Sequence, residues 1–203
     1  MKGEKSDLRI ERTRTSLWAA LLALIEERGY DELSVQDIAE RAKVNRTTFY
    51  RHYEDKDDLF RQGCVDLCDS IIAEMRLISK LELDTDLTWL PRYVRRMFEC
   101  IDSDRDVFSV LCGPRSNPEF LRIMEDKVSA FMMNERLNSW SLLSSRVGGQ
   151  DMAELFAWSV TSLLIGLSMR WLRAPTPVSI ERVSEIYSTI VVGGIAELLR
   201  KNL

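Results

Sequence analysis

A stretch of thirteen residues, from position 41 to position 53, has the side chains of a nucleic-acid-binding surface. It contains four basic residues and the single histidine of the chain, and it has no acidic residue. Its uncharged polar side chains can hydrogen-bond to phosphate oxygens and base edges: Asn45, Thr47, Thr48, Tyr50 and Tyr53. Because the whole chain has 32 acids against 28 Lys and Arg, this window favours a dedicated basic face over chance bias on a solvated helix.

Two short helices joined by a tight turn are predicted to hold these side chains. Ser34 can cap the first helix, and Asp37 follows three residues later, as in a capping box. The apolar residues that follow recur at helical spacing: Val35, Ile38, Ala39 and Ala42. Residues 42–44 form a break, Asn45 is a second cap, and residues 46–52 form the second helix. This order is the helix-turn-helix arrangement.

The whole segment resembles the DNA-binding domain of the TetR/AcrR transcriptional regulators. The matching residues are Glu27-Arg28-Gly29-Tyr30, Leu33 to Ala39, Ala42-Lys43-Val44, Asn45 to Tyr53 and Asp55 to Leu59. The resemblance is strong over about residues 10 to 60 and weakens beyond them. The family usually has Gly where this chain has Lys43, at a helix end that favours a left-handed backbone. We expect the lysine to cost about 1 kcal/mol there.

The second helix is predicted to enter the major groove of DNA. The expected DNA-binding residues are Ser34, Arg46, Thr47, Thr48, Tyr50, Arg51, His52 and Lys56. Arg46 and Thr47 are candidates for base readout because they lie in its first turn. The resemblance implies phosphate contacts for Thr48, Tyr50, His52 and Lys56, although His52 could instead be a packing residue. Ser34 could add a phosphate at the first helix's N-terminus.

Composition and hydrophobic periodicity predict an all-α fold of about nine helices. The chain has 203 residues, of which 45% are hydrophobic, with only nine Gly and five Pro, and no strand-like alternation. We expect an N-terminal three-helix DNA-binding domain over residues 1–54. A helical regulatory and dimerisation domain is expected over residues 55–203.

The last two predicted helices, residues 151–172 and 180–201, carry small and apolar residues that favour self-association. Glycines in the middle of the last helix cost helix stability, so a neighbouring backbone is expected to come close. Such a pair could form a four-helix bundle with its two-fold mate, or could simply pack within one chain. The resemblance also implies a homodimer through these helices. The candidate interface residues are Ser159, Ser162, Gly166, Ile186, Ile190, Gly194 and Leu198.

The resemblance further implies a small-molecule pocket in the C-terminal domain. Candidate lining residues are Trp89, Tyr93, Phe108, Phe131, Trp140 and Trp158, which would suit an apolar pocket or a plain core equally well. The expected partners are a palindromic double-stranded DNA operator, a second copy of the chain and an unidentified effector. Family habit favours a repressor. The alternative is a coactivator or protein-interaction module of the same fold without its own operator, against which the basic window argues.

Several other classes of function lack their sequence signals. There is no GxSxG, phosphate-loop, GxGxxG or metal-ligand pattern, so we expect no enzyme activity, cofactor or metal. Cys64 and Cys68 are one helical turn apart and permit a metal or redox pair, but free cysteines are commonly small buried hydrophobes. The charged N-terminus does not resemble a secretory signal, and the apolar run 155–169 is short for a membrane span. A cytoplasmic location is therefore expected.

Overall fold

The computed structural model describes residues 2–81, 90–135, 149–174, 176 and 178–201. Within those ranges the chain forms nine α-helices and one 3-10 turn, Tyr30–Glu32, and no strand. The helices are α1 Lys2–Arg28, α2 Val35–Arg41, α3 Arg46–Phe49, α4 Lys56–Leu81, α5 Leu90–Ser103, α6 Arg105–Leu111, α7 Glu119–Glu135, α8 Gln150–Leu172 and α9 Ile180–Lys201. The all-α prediction is confirmed.

The chain divides into two compact units. The first consists of residues 1–66 and 106–120, and the second of residues 67–105 and 121–203. The proposed division into a DNA-binding domain over residues 1–54 and a regulatory domain over residues 55–203 stays a prediction.

In the first unit, α1 buries an apolar stripe against the helices of the DNA-binding motif. Leu17, Leu21 and Ile25 are completely buried, as their helical spacing predicts. α1 begins at Lys2. Further along, α4 approaches α1 closely at Gly63. A Cβ atom on Gly63 would lie 2.3 Å from a ring carbon of Trp18, so only glycine allows this contact.

The C-terminal end of α1 is closed by a segment distant in sequence. Gly29 has φ 92°, a left-handed value that lets the chain leave the helix. The next amide, Tyr30 N–H, donates to the carbonyl of Arg115 over 2.8 Å. Arg115 in turn donates from its guanidinium to the carbonyls of Glu26 (3.3 Å) and Glu27 (3.4 Å). Residues 106–120 therefore satisfy the carbonyl groups that the end of α1 leaves unpaired.

In the second unit, α9 packs against α5 and α8. The Tyr187 hydroxyl donates to the Val160 carbonyl over 3.1 Å, and Phe98 meets Trp171 edge-on at 5.3 Å. The segment Glu154–Leu172 of α8 is long and apolar enough to cross a membrane by length and composition alone, with a mean hydropathy of 1.4. It is longer than the apolar run seen in the sequence, and 33% of it is buried inside the protein, including Thr161 and Ser168.

Candidate nucleic-acid interface

Helix α2 begins with the capping box that the sequence predicts. The Asp37 amide donates to Ser34 Oγ over 3.2 Å, and the Ser34 amide donates to Asp37 Oδ2 over 2.9 Å. Arg28, at the end of α1, forms an ion pair with the other Asp37 oxygen at 2.9 Å. Hydrogen bonds from Ser34, together with Arg28, hold the pKa of Asp37 well below its ordinary value. The ionised carboxylate thus joins the start of α2 to α1.

The turn between α2 and α3 is a Schellman motif with lysine at the left-handed position. The amide of Lys43 donates to the Glu40 carbonyl (3.1 Å) and that of Val44 to the Ala39 carbonyl (3.0 Å). Lys43 has φ 56°, and it is the one non-glycine residue in the described ranges with a positive φ. The left-handed backbone expected at this position is therefore confirmed.

Helix α3 is shorter than predicted but starts where expected. The Asn45 side chain accepts from the Thr47 amide over 2.8 Å, which caps the helix. The helix ends at Phe49, whose ring is completely buried, and a turn carries the chain on to Tyr53. With Phe49 fixed in the core, the side chains of Arg46, Thr47 and Tyr50 are exposed to solvent.

Side chains of α3 contact side chains of the turn that follows it. The Arg46 guanidinium lies 5.5 Å from the Tyr50 ring centre and donates to the Tyr50 hydroxyl over 3.1 Å. Arg51 donates to Thr48 Oγ1 over 3.3 Å. These contacts are to uncharged groups, and among the described residues neither guanidinium is paired with a carboxylate, so each can bind a phosphate or a base edge.

His52 is half-buried beside two arginines. Burial, with Arg51 and Arg14 nearby, lowers the pKa of His52 below its ordinary value. Tyr53, which the sequence places among the hydrogen-bonding side chains of the window, is instead buried. Its hydroxyl accepts from Arg14 Nε over 3.1 Å. Tyr53 is therefore part of the frame that holds His52.

Lys56, expected at a phosphate, has its ammonium against the 3-10 turn. Nζ donates to the carbonyls of Tyr30 (3.0 Å) and Asp31 (3.4 Å) and lies 4.7 Å from the Tyr30 ring centre. The Tyr30 hydroxyl is hydrogen-bonded to Asp57 in turn. Lys56 thus fastens α4 to the chain before α2, and its phosphate contact stays a prediction.

Arg41 does not add to the free positive charge of the window. Its guanidinium makes a two-point contact with the Glu27 carboxylate of α1, with the nearer pair at 2.5 Å. That contact lowers the pKa of Glu27. Residues 41–53 contain no acidic residue, but tertiary packing brings Glu27 of α1 against them. The sequence of the window alone does not predict this contact.

Among the candidate interface residues of the second unit, six have described side chains. Ser159, Ser162, Gly166, Ile186, Ile190 and Gly194 are all exposed on α8 and α9, whereas the side chain of Leu198 lies outside the described set. A Cβ added at Gly166, Gly193 or Gly194 would meet nothing within 4 Å among the described atoms. The apolar surface beside them includes Leu155 (61% exposed) and Trp158 (50% exposed).

The candidate pocket residues are only partly brought together. Tyr93 and Phe131 are buried and stack at 6.4 Å in the second unit. Phe108 belongs to the first unit, where it packs on Phe120, and Trp158 is exposed. Trp89 and Trp140 lie outside the described residues. The pocket stays a prediction.

The two cysteines that the sequence singles out are both buried thiols. Neither Cys64 nor Cys68 forms a disulfide, and burial raises the pKa of Cys68 to about 12. A thiol with so high a pKa stays protonated near neutral pH and reacts poorly. Over the ranges that the structure describes, no group of three or more His, Cys, Asp or Glu residues is placed to hold a metal ion.

Comparison with known proteins agrees with this geometry. Residues 17–62 match the family described as bacterial regulatory proteins, tetR family. An uncharacterised HTH-type transcriptional regulator of Bacillus subtilis, YxbF, is 33% identical over 79 residues, which cover 38% of this chain and 21% of that protein. The HTH-type transcriptional repressor KstR2 of Rhodococcus jostii is 24% identical over 199 residues, which cover 90% of this chain and 91% of the repressor.

The fold itself is shared over nearly the whole chain with solved structures. A TetR transcriptional regulator from Streptococcus agalactiae superposes with a TM-score of 0.66 at 21% identity, covering 93% of this chain and 98% of that one. Over residues 17–62 the chain carries a domain that matches the tetR family of bacterial regulatory proteins, and it shares the fold of a solved TetR regulator over nearly its whole length.

Proposed function

We propose that this protein is a sequence-specific DNA-binding repressor that binds a palindromic operator as a homodimer and releases it when a small molecule binds. The observation that carries the proposal is the exposed face of α3. Arg46 and Thr47 on the helix, and Tyr50 and Arg51 in the turn that follows it, are solvent-accessible, and the helix is capped at Asn45 and anchored through Phe49. Rigid presentation of donors without a local counter-charge is what readout of a major groove requires.

The proposed roles of the site residues follow from their positions. Arg46 and Thr47, in the first turn of α3, read base edges. Thr48, Tyr50, Arg51 and His52 contact phosphates, as do Ser34 at the start of α2 and Lys56 at the start of α4. For Lys56 this role requires that the ammonium reach a phosphate, either by breaking its hydrogen bond to the Tyr30 carbonyl or by donating to both groups.

The exposed apolar face of α8 and α9 supports a homodimer. Ile186 and Ile190 on α9 are 38% and 51% exposed, while Val183 and Tyr187, on the adjoining part of the same apolar stripe, are buried within the unit. The apolar stripe of α9 is therefore wider than the part that its own unit buries, and the exposed part is left for a partner to cover. The open space over Gly166, Gly193 and Gly194 would let a second backbone approach. A second copy of the same face would cover it in an isologous interface.

Unpaired buried hydroxyls in the second unit support a polar effector. Among the described atoms, Ser129 of α7, Thr161 and Ser168 of α8 and Ser188 of α9 have no hydrogen-bond partner and are at least nine-tenths buried. Burying a hydroxyl without a partner costs roughly 1–3 kcal/mol. A ligand that offers donors or acceptors to these groups would recover that cost, and it shifts the protein only if it prefers one conformation. We place the protein in the cytoplasm, where its DNA would be.

Selection from a random duplex pool by the purified full-length protein, at two salt concentrations, tests the function. Enrichment of a palindrome, with affinity falling steeply as salt rises, is the expected result. Arg46→Ala leaves the Phe49 anchor in place, so we expect that variant to fold normally. From the same pool it should select duplexes with a less sharply defined sequence. A pool without enrichment would refute operator binding and favour the coactivator reading of the fold.

A further inference from the structure

A cleft of about 570 Å³ lies between the N-terminal turns of α1 and the turn that joins α2 to α3. Helix α1 contributes Arg9, Ile10 and Thr13 to one wall. The facing wall includes Lys43 and Arg51. None of the α1 residues belongs to the predicted DNA-binding set, because their sequence neighbourhood is mixed in charge and far from the helix-turn-helix.

The cleft concentrates positive charge. Arg9, Lys43 and Arg51 all line it, and no acidic residue does so within the described part of its wall. Two other exposed arginines of this unit, Arg28 and Arg41, each pair with a carboxylate. Three like charges around one opening repel one another, and an anion placed between them removes that repulsion.

We infer that this cleft binds a backbone phosphate of the operator, and that Arg9 of α1 is a DNA contact. The inference rests on the proposed function. It commits to a DNA phosphate because the cleft shares Thr48, Arg51 and His52 with the proposed DNA surface, so a duplex docked on α3 would pass its mouth. Arg9 adds a donor from a different helix, which widens the footprint beyond the helix-turn-helix.

The chemistry of the wall suits a phosphate diester. The guanidinium of Arg9 can donate two parallel hydrogen bonds to two phosphate oxygens, while Lys43 supplies a point charge. Thr13 adds a hydroxyl, although its Oγ1 already donates to the Arg9 carbonyl over 2.9 Å. Ile10 is 44% exposed and offers an apolar contact to the sugar beside the phosphate.

Arg9→Ala is the direct test, with Arg12→Ala as its matched control. Both residues are exposed arginines on the same helix, and Arg12 does not line the cleft. With a duplex recovered by selection, we expect Arg9→Ala to lower the slope of log affinity against log salt by about 0.9 for each bound copy. When salt is raised from 50 to 200 mM, the ratio of the wild-type DNA affinity to that of Arg9→Ala should then fall by about threefold to fourfold per bound copy. Arg12→Ala should change neither quantity, and Arg9→Lys should recover part of the affinity.

Neutral methylphosphonate linkages, placed one at a time along that duplex, identify the phosphate. At the position facing the cleft, the linkage should weaken the wild type and have no further effect on Arg9→Ala. Losses that simply add at every position would mean that Arg9 acts on a free anion or on the protein, and they would overturn the DNA-phosphate assignment.

The two proposals fail in different ways. If the wild type selects a duplex but Arg9→Ala and Arg12→Ala bind it equally, the cleft inference is wrong and the proposed function is still supported. If the wild type selects no duplex, the proposed function fails and the cleft inference falls with it. Circular dichroism melts of all four proteins confirm that the comparison is between folded chains.

Discussion

Replacing Lys43 separates two roles that this residue combines. Its backbone is left-handed, with φ 56°, and its ammonium lies on the wall of a cationic cleft. Lys43→Gly and Lys43→Ala both remove the charge, but only glycine relieves the backbone. The pair therefore isolates the backbone contribution to stability from the charge contribution to DNA binding.

The expected magnitude follows from the turn geometry. A left-handed conformation costs an L-residue roughly 1–2 kcal/mol, and Lys43→Ala keeps that cost. Lys43→Gly removes it but adds about 0.4–1 kcal/mol of conformational freedom to the unfolded chain. We expect Lys43→Gly to be more stable than Lys43→Ala by about 1 kcal/mol, or about 2–4 °C in Tm for a chain of this size. The two hydrogen bonds of the Schellman motif use backbone amides of Lys43 and Val44 and survive in both variants.

The assay combines thermal and denaturant unfolding, followed by circular dichroism, with DNA affinity at two salt concentrations. Lys43→Asn is a third variant, since Asn tolerates left-handed backbone better than most residues, and its stability should fall between the other two. Lys43→Gly and Lys43→Ala should show the same weakened, less salt-dependent affinity, because they lack the same charge.

Equal stability of Lys43→Gly and Lys43→Ala would refute the reasoning, since it would mean that the α2–α3 turn does not hold this residue left-handed in solution. A different DNA affinity for the two would show that glycine also alters the placement of α3. Only the combination of unequal stability and equal affinity fits the geometry described above.

Four further outcomes are expected. Arg46→Ala should cost about 1–3 kcal/mol on the preferred duplex and relax specificity, and an equal loss on all sequences would exclude base readout. Lys56→Ala should lower both the salt dependence of binding and Tm, because its ammonium also holds the Tyr30 carbonyl; a Tm change alone would make it purely structural. In the free protein, burial together with Arg51 and Arg14 lowers the pKa of His52, and a bound phosphate would raise that pKa. DNA affinity should therefore increase as pH falls from about 8 to 6 in the wild type, and should not do so in His52→Gln. Ile190→Glu should sediment as a monomer, because Ile190 lies in the exposed apolar face proposed as the dimer interface. If this variant still sediments as a dimer, the interface lies elsewhere.

Interactions that are local in sequence could be predicted, and those that join distant helices could not. The caps at Ser34 and Asn45 depend on side chains two or three residues from the amides they accept, so the sequence contains the whole interaction. The left-handed Lys43 follows equally from helix-end chemistry. By contrast, Arg41 meets Glu27, and Lys56 meets Tyr30, only because α1, α2 and α4 pack together.

The same distinction explains the missed residues of the candidate site. Arg9 lies in a charged stretch with no apolar stripe, so nothing local marks it as part of a DNA surface. Tyr53 looks like another hydroxyl donor of the basic window, yet the end of α3 at Phe49 turns it inward against Arg14. A helix that ends early changes which side chains face solvent, and helix ends are poorly determined by periodicity alone.

The packing of the first unit shows why a short helix such as α3 can be held rigidly enough to read DNA. A four-residue helix has too few internal hydrogen bonds to persist alone, so its stability comes from neighbours. Phe49 supplies the anchor, and Leu59 and Phe60 at the start of α4 are as completely buried as Phe49 is. The Tyr30 ring meets Phe60 edge-on at 4.9 Å, and the Tyr30 amide is bonded to Arg115.

Residues well beyond position 54 therefore complete the frame around the reading helix. Because the segment 106–120 is one of those parts, any force that displaces it from the end of α1 acts on the unit that carries α3. The proposed release of DNA by an effector would need such a dependence. The contact includes hydrogen bonds from Arg115 to the last carbonyls of α1 and one from the Tyr30 amide to the Arg115 carbonyl.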